Sequence, residues 1–165
     1  MWSDAIFREA ESRDLDTLHS YYMHESVVYY MGFDYVPRED FDKLFAELAA
    51  EGKFLVYESA NRILGACRVV RRSHRMQHVA YIGTTVVDPN EQHAGIGTSM
   101  MRTLLHDLYQ DGVRRFEVFV ACDNTNSVSF FKKLGFQVEG HMKNFFRRSG
   151  ASDYSDEYML ALLLD

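Results

Sequence analysis

The segment Val87-Asp88-Pro89-Asn90-Glu91-Gln92-His93-Ala94-Gly95-Ile96-Gly97-Thr98 constrains this chain more than any other. Before it comes "HVAYIGTTVV", a β-branched and aromatic run that reads as a long central strand. After it comes "SMMRTLLHDL", on a helix whose apolar face is marked by Ile96, Met100, Leu104 and Leu108. Asp88 and Pro89 turn the chain sharply off the strand, and two glycines open the helix. A helix start presents N–H groups with no intrahelical partner, and its dipole makes that end positive. Gly95 and Gly97 remove the β-carbons there and permit unusual backbone angles, so an anionic phosphate can approach. A glycine-softened connection with no ligand would use the same residues. Two familiar phosphate loops are excluded: no G-x-x-x-x-G-K-[ST] run exists, and the third glycine of the dinucleotide fingerprint is replaced by Met100.

The rest of the chain reads outward from this unit. Ala5 to Glu9 is expected as a first strand, and Leu15, Leu18 and Tyr22 mark a helix over Asp16 to Tyr22. Pro37 stands where a second helix can begin, with Phe41, Leu44, Phe45 and Leu48 as its stripe. "KFLVYES" and "RILGACRVVRR" form two strands around a turn at Ala60-Asn61. "RRFEVFVAC" is a strand, "TNSVSFFKKLG" a helix ended by Gly135, and "FQVEGHM" and "DEYMLALLL" the last strands. The expected order is β-α-α-β-β-β-α-β-α-β-β: an α/β (α+β) fold with a mixed sheet and helices on both faces. No repeat or Pro/Gly-rich linker divides residues 1–165, so a single domain is expected.

Hydrophobic residues at 47% exclude a disordered chain, and no apolar run approaches the ~18 residues of a membrane helix. The opening "MWSDAIFREA" carries no export signal, and Cys67 and Cys122 stand in no metal-ligand spacing. A reducing cytoplasmic setting, no bound metal and no membrane partner are the expectations. The net charge of −6 argues against nucleic acid and favours cationic ligands.

"VVDPNEQHAGIG" resembles the acetyl-CoA signature V-x-P-x-x-[Q/R]-x-x-G-x-[G/A] of the GCN5-related N-acetyltransferase (GNAT) family, with Gln92, Gly95 and Gly97 on its defining positions. "NTNSVSFFKKLGF" resembles that family's second block through Asn124, Gly135 and Phe136, with Ser127 in the small-residue place. "HVAYIGTTV" and the tail "VEGHMKNFFRRSG…DEYMLAL" look like members that acetylate small amines or amino acids. The resemblance spans roughly residues 60–163. It implies a fold whose central strand splays from its neighbour, with acetyl-CoA as co-substrate. The diphosphate would rest on the amides of His93, Ala94, Gly95, Ile96, Gly97 and Thr98. The pantetheine arm would pair with the backbone of Thr85, Val86 and Val87 like an added strand. Asn124, Ser127 and Phe131 would line the arm's other side. A homodimer is expected at family level only. The turn lacks the family's usual Arg or Lys, which leaves the phosphate attraction to amides and helix dipole.

The implied reaction is attack of a primary amine, on a small molecule or a protein, on the thioester. An ammonium of pKa about 10 must first lose a proton, and the departing thiolate benefits from a donor. The family's strand glutamate is Tyr81 here, and its helix tyrosine is Phe131. Phenylalanine donates no proton; Tyr81 can donate or relay one but is a poor base. Glu117, on the fifth strand, is the other catalytic candidate. His78, His24, Glu25 and Asp34 are further polar candidates, and Cys122 lies near the expected thioester. Of the rings Tyr21, Tyr22, Tyr29, Tyr30, Phe33 and Tyr35, about half are expected in the core and the rest over the acceptor. The alternative to an enzyme is a non-catalytic acyl-CoA-binding module, motivated by Tyr81 and Phe131. Proximity alone accelerates transfer and favours the enzyme.

Overall fold

The computed structural model describes residues 2–165. Strand β1 (Ile6–Glu9) precedes three helices: α1 (Leu15–Tyr22), α2 (Glu25–Val28) and α3 (Arg38–Ala49). Strands β2 (Lys53–Ser59), β3 (Arg62–Arg71) and β4 (Val79–Val87) follow, then α4 (Ile96–Gln110), β5 (Arg115–Ala121), α5 (Thr125–Lys133), β6 (Gln137–Phe146) and β7 (Ser155–Leu163). This is the expected order plus one element. The addition, α2, spans four residues, too few for an apolar period to show. A local cap holds it: His24 Nδ1 accepts from the Ser26 amide at 3.3 Å.

Local chemistry accounts for the remaining boundaries. Ala60 and Asn61 both adopt positive φ, 50° and 62°, the mirror-image turn that matches the twist of a β2–β3 hairpin. Pro37 sits just before α3, and Glu39 and Asp40 in its first turn complement the helix dipole.

The seven strands form one sheet in the order β1-β2-β3-β4-β5-β7-β6, antiparallel except for β4 beside β5. Side chains alternate between faces and build two cores. On one face α4 and α5 cover Ile82, Phe116, Val118 and Leu160 with Met100, Leu104 and Phe131. On the other, α1 and α3 cover Phe54, Val56, Ile63 and Ala66 with Leu18, Tyr22 and Phe41.

The parallel ladder in the middle positions everything that follows. Val79 pairs with Arg115, Ala80 with Phe116 and Tyr81 with Glu117, and there the pairing stops. Beyond it β4 stays with β3 and β5 stays with β7, so the two strands part and leave facing edges unpaired. The register against β3 jumps between Ala66 and Arg68, where Thr84 is forced to φ 48°. A β-branched residue in this region is a strained outlier, costing about 1–3 kcal/mol, of the kind found at binding sites. Tyr22 on α1 steadies the bulge, donating its hydroxyl to the Thr84 carbonyl at 2.6 Å.

Candidate active site

At the C-terminal end of β4 the chain makes the turn singled out above. The Asp88 carboxylate accepts from the Asn90 amide at 2.9 Å and opens a short helical turn over Pro89–Glu91. His93 and Gly95 then take positive φ, 69° and 80°, and Gly95 caps α4. Alternation into the left-handed region curls consecutive amides around a common centre, a concavity suited to anions. Gln92, His93, Ala94 and Gly95 are exposed at its lip. The first helical bond runs from the Ser99 amide to the Gly95 carbonyl, so the amides of Ile96, Gly97 and Thr98 stay unpaired. Gly97, in contrast to Gly95, has no positive φ; a Cβ there would meet Val87 Cγ2 at 3.4 Å and Phe130 at 3.5 Å. Its conformational freedom is therefore not used.

Two supports for this turn come from distant sequence. The Trp2 indole donates to the Ala94 carbonyl at 3.3 Å and pins the loop from below. Arg62 on β3 pairs with Asp88 at 2.8 Å and Glu91 at 2.6 Å, offsetting one of the two negative charges next to the cradle. Burial pushes the Asp88 carboxyl up, but Arg62 and the bonds from Asn90 outweigh it and hold it below the usual carboxylate range.

Beyond the turn, the split opens between Thr85, Val86 and Val87 on β4 and the end of β5, with α5 alongside. The Asn124 side-chain oxygen caps α5 by accepting from the Ser127 amide at 3.3 Å. Phe131 is in the core, with Phe130 and Phe136 rings 5.2 and 5.3 Å away. Cys122 turns to the α5 face, beside Thr125, Val128 and Tyr158, and burial raises its thiol above the ordinary value. A buried thiol so raised is a weak nucleophile.

On the α1–α3 face, Tyr81 lies flat along its own strand. A Cβ on Gly83 would fall 2.5 Å from the Tyr81 hydroxyl, so the phenol points over Gly83 toward the bulge. Phe119 of β5 packs against it at 5.3 Å and stacks on Phe145 of β6 at 6.2 Å. The Arg68 guanidinium lies 5.9 Å from the Tyr81 ring centre. Burial raises the Tyr81 hydroxyl above its ordinary value, opposed by Arg68, so it stays protonated at neutral pH and able to donate a proton.

Glu117 is engaged elsewhere. Its oxygens accept from Arg72 at 3.1 Å and Arg115 at 2.8 Å, and two guanidiniums on one carboxylate stabilise its charged form and make it a weak acceptor for a substrate proton. This geometry argues for a structural ion pair at the base of the split. His24 is occupied as the cap of α2, and Asp34 accepts from the Ser149 amide at 3.2 Å. Glu25 and His78 are exposed, His78 at the far end of β4. Tyr21 and Tyr22 are buried, Phe33 half-buried, and Tyr29, Tyr30 and Tyr35 exposed, close to the expected division of the rings.

Arg148, which nothing in the sequence marked, ties the aromatic segment to the rest. It donates to the Tyr29 carbonyl at 2.8 Å, stacks on the Tyr29 ring at 3.9 Å and holds Asp123 through two bonds of 3.0 and 3.1 Å. The segment after α1 is thus clasped to the C-terminal end of β5.

This arrangement suits acetyl-CoA: free amides at a helix start fit a diphosphate, and an unpaired strand edge fits an amide-bearing arm. Comparison with known proteins agrees. A sequence model of the acetyltransferase (GNAT) family matches residues 15–136. The chain is 28% identical to the L-amino acid N-acetyltransferase AaaT of Escherichia coli K12, over 96% of this chain and 98% of that one. It is 29% identical to the N-alpha-acetyltransferase RimI of Mycobacterium tuberculosis, over 76% and 77%. Spermidine N-acetyltransferase from Vibrio cholerae, in complex with CoA and spermine, shares the fold with a TM-score of 0.81 at 19% identity, over 98% of this chain and 96% of that one. With its split sheet, its amide cradle and both signature blocks in place, the chain belongs to the GNAT acetyltransferase family and is an N-acetyltransferase that uses acetyl-CoA.

Proposed function

We propose that the protein acetylates the α-amine of a free amino acid with an apolar side chain, residues 1–165 acting as one catalytic domain. One observation carries this reading. Beside the aromatic wall of Tyr81, Phe119 and Phe145 lies Arg68, a largely buried guanidinium whose Nη1 pairs with Glu51 at 2.8 Å and whose buried Nε has no partner. An unpaired buried donor on a cation favours an anionic partner, which the carboxylate of an amino acid supplies. A polyamine would instead bring further positive charge next to Arg68. The clasp through Arg148 also favours a small acceptor over a peptide, which needs an open groove. The relative that acts on L-amino acids, aligned over nearly the whole chain, supports the same class.

In this reading Thr85, Val86, Val87, Asn124 and Ser127 bind the pantetheine arm, and residues 92–98 the diphosphate. Tyr81 donates toward the leaving sulfur, and Phe131 is an apolar wall behind it. The test is an acceptor panel with acetyl-CoA, scored by coenzyme release and by mass spectrometry of the acetylated product. Methionine and phenylalanine are expected to exceed spermidine and an N-terminal peptide in kcat/KM, and Arg68→Met to raise the amino-acid KM about tenfold or more. Preference for spermidine or peptide would overturn the acceptor class.

A further inference from the structure

Glu157 lies on β7, beyond the residues that the family model matches. Its cross-strand partner on β5 is Ala121, and that of Met159 is Phe119. Paired residues in an antiparallel ladder share a face. Since the Phe119 ring packs on Tyr81, the Glu157 side chain belongs to the same face as the Tyr81 phenol, one strand beyond the split. The residue is half-buried, and burial is the sole influence on its carboxyl: no ion pair or hydrogen bond among the described residues engages it. Its acidic neighbours are different. Glu117 and Glu139 are bound by Arg115, Asp123 by Arg148, and Asp156 by His141.

A half-buried carboxylate without a partner is costly, and such groups concentrate where a ligand completes the site. We propose that Glu157 is the catalytic group that meets the acceptor's ammonium, binds it as a cation and takes its proton. The ammonium passes one proton to the Glu157 carboxylate, directly or through one water. The neutral nitrogen then forms a C–N bond to the thioester carbonyl carbon, and the C–S bond breaks. The nitrogen's second proton ends on sulfur, so coenzyme A leaves as a thiol, with the Tyr81 hydroxyl placed to relay it. Glu157 finally returns its proton to water, so no further reagent is needed.

The groups facing Glu157 suit this task. From β4 and β3 come Tyr81, protonated, and Arg68; from the end of β5, the Asp123–Arg148 pair; from β6, Met142 opposite. Burial lifts the Glu157 carboxyl above the ordinary glutamate value, which makes its carboxylate a stronger base than a solvated glutamate.

This inference rests on the acetyltransferase activity but not on the amino-acid acceptor. Wild type and Glu157→Gln are therefore compared on whichever panel amine is turned over fastest, from pH 6 to 10. A carbon-13 NMR titration of the Glu157 carboxyl, with acetyl-CoA bound and with methylammonium as probe, needs no turnover. The expected result is a fall in kcat/KM of about 10²–10⁴-fold at pH 7, with the deficit shrinking near pH 10 as the free amine becomes abundant. Coenzyme affinity should hold, thermal stability should hold or rise because a buried charge is removed, and methylammonium should lower the carboxyl's pKa. Activity within threefold of wild type at pH 7, a deficit independent of pH, or a titration indifferent to methylammonium would each overturn the assignment.

Discussion

A Cβ on Gly83 would stand 2.5 Å from the Tyr81 hydroxyl, so the phenol can lie along its own strand only because residue 83 has no side chain. Two substitutions test whether that placement matters. Tyr81→Phe removes the donor and keeps the ring, and should lower kcat about 10²-fold with coenzyme affinity unchanged. Gly83→Ala leaves the hydroxyl but forces the ring aside. It should reach a similar kcat and lose about 1–3 kcal/mol of stability through overpacking, read by thermal and denaturant unfolding. Full activity in Gly83→Ala would show that the direction of the phenol is incidental. The signature residues were legible in the sequence because they serve the backbone: a turn or a cap has local chemistry. Arg68, Arg148 and Glu157 were not, because their meaning comes from partners far along the chain or, for Glu157, from having none. Strand parity alone does not say which face of β7 looks at the split.

At the level of elements, the turn ahead of α4 illustrates how a motif is completed from outside itself. Its lack of a basic residue leaves the phosphate attraction to amides and helix dipole. Arg62 compensates from β3 by pairing with Asp88 and Glu91 and offsetting one of their two negative charges. Arg62→Ala should raise the coenzyme Kd about tenfold at low salt, and the effect should fade at high ionic strength, as calorimetry would show. Acid should act on β1 and α1 through Asp14. The Arg8 guanidinium, 2.7 Å away, holds that carboxyl below its ordinary value despite burial. A group whose folded pKa is depressed stabilises the fold above its unfolded value of about 4, and that contribution is lost as pH falls through the folded value. Melting temperature should therefore hold from neutrality to about pH 4 and drop below it, and Asp14→Asn should flatten that drop. Strands and long helices were readable from their periods, whereas α2 was hidden because four residues among tyrosines carry none.

Across the whole molecule, seven strands form one sheet, yet its two halves are joined in the middle by three residue pairs, Val79–Arg115, Ala80–Phe116 and Tyr81–Glu117. Every other neighbouring pair of strands shares a longer ladder than this seam. In the proposed binding mode, coenzyme in the gap touches both sides of it and works as a cross-brace. Mass action alone gives about 2.7 kcal/mol of stabilisation at a hundredfold excess over Kd. Bracing adds a spatial signature: slowed amide exchange on coenzyme binding should extend to the outer strands β2 and β7, and fail to do so if each half stiffens alone. An enzyme built on such a seam is most compliant between turnovers, when the gap must admit a new thioester, and stiffest when the acyl group is in place.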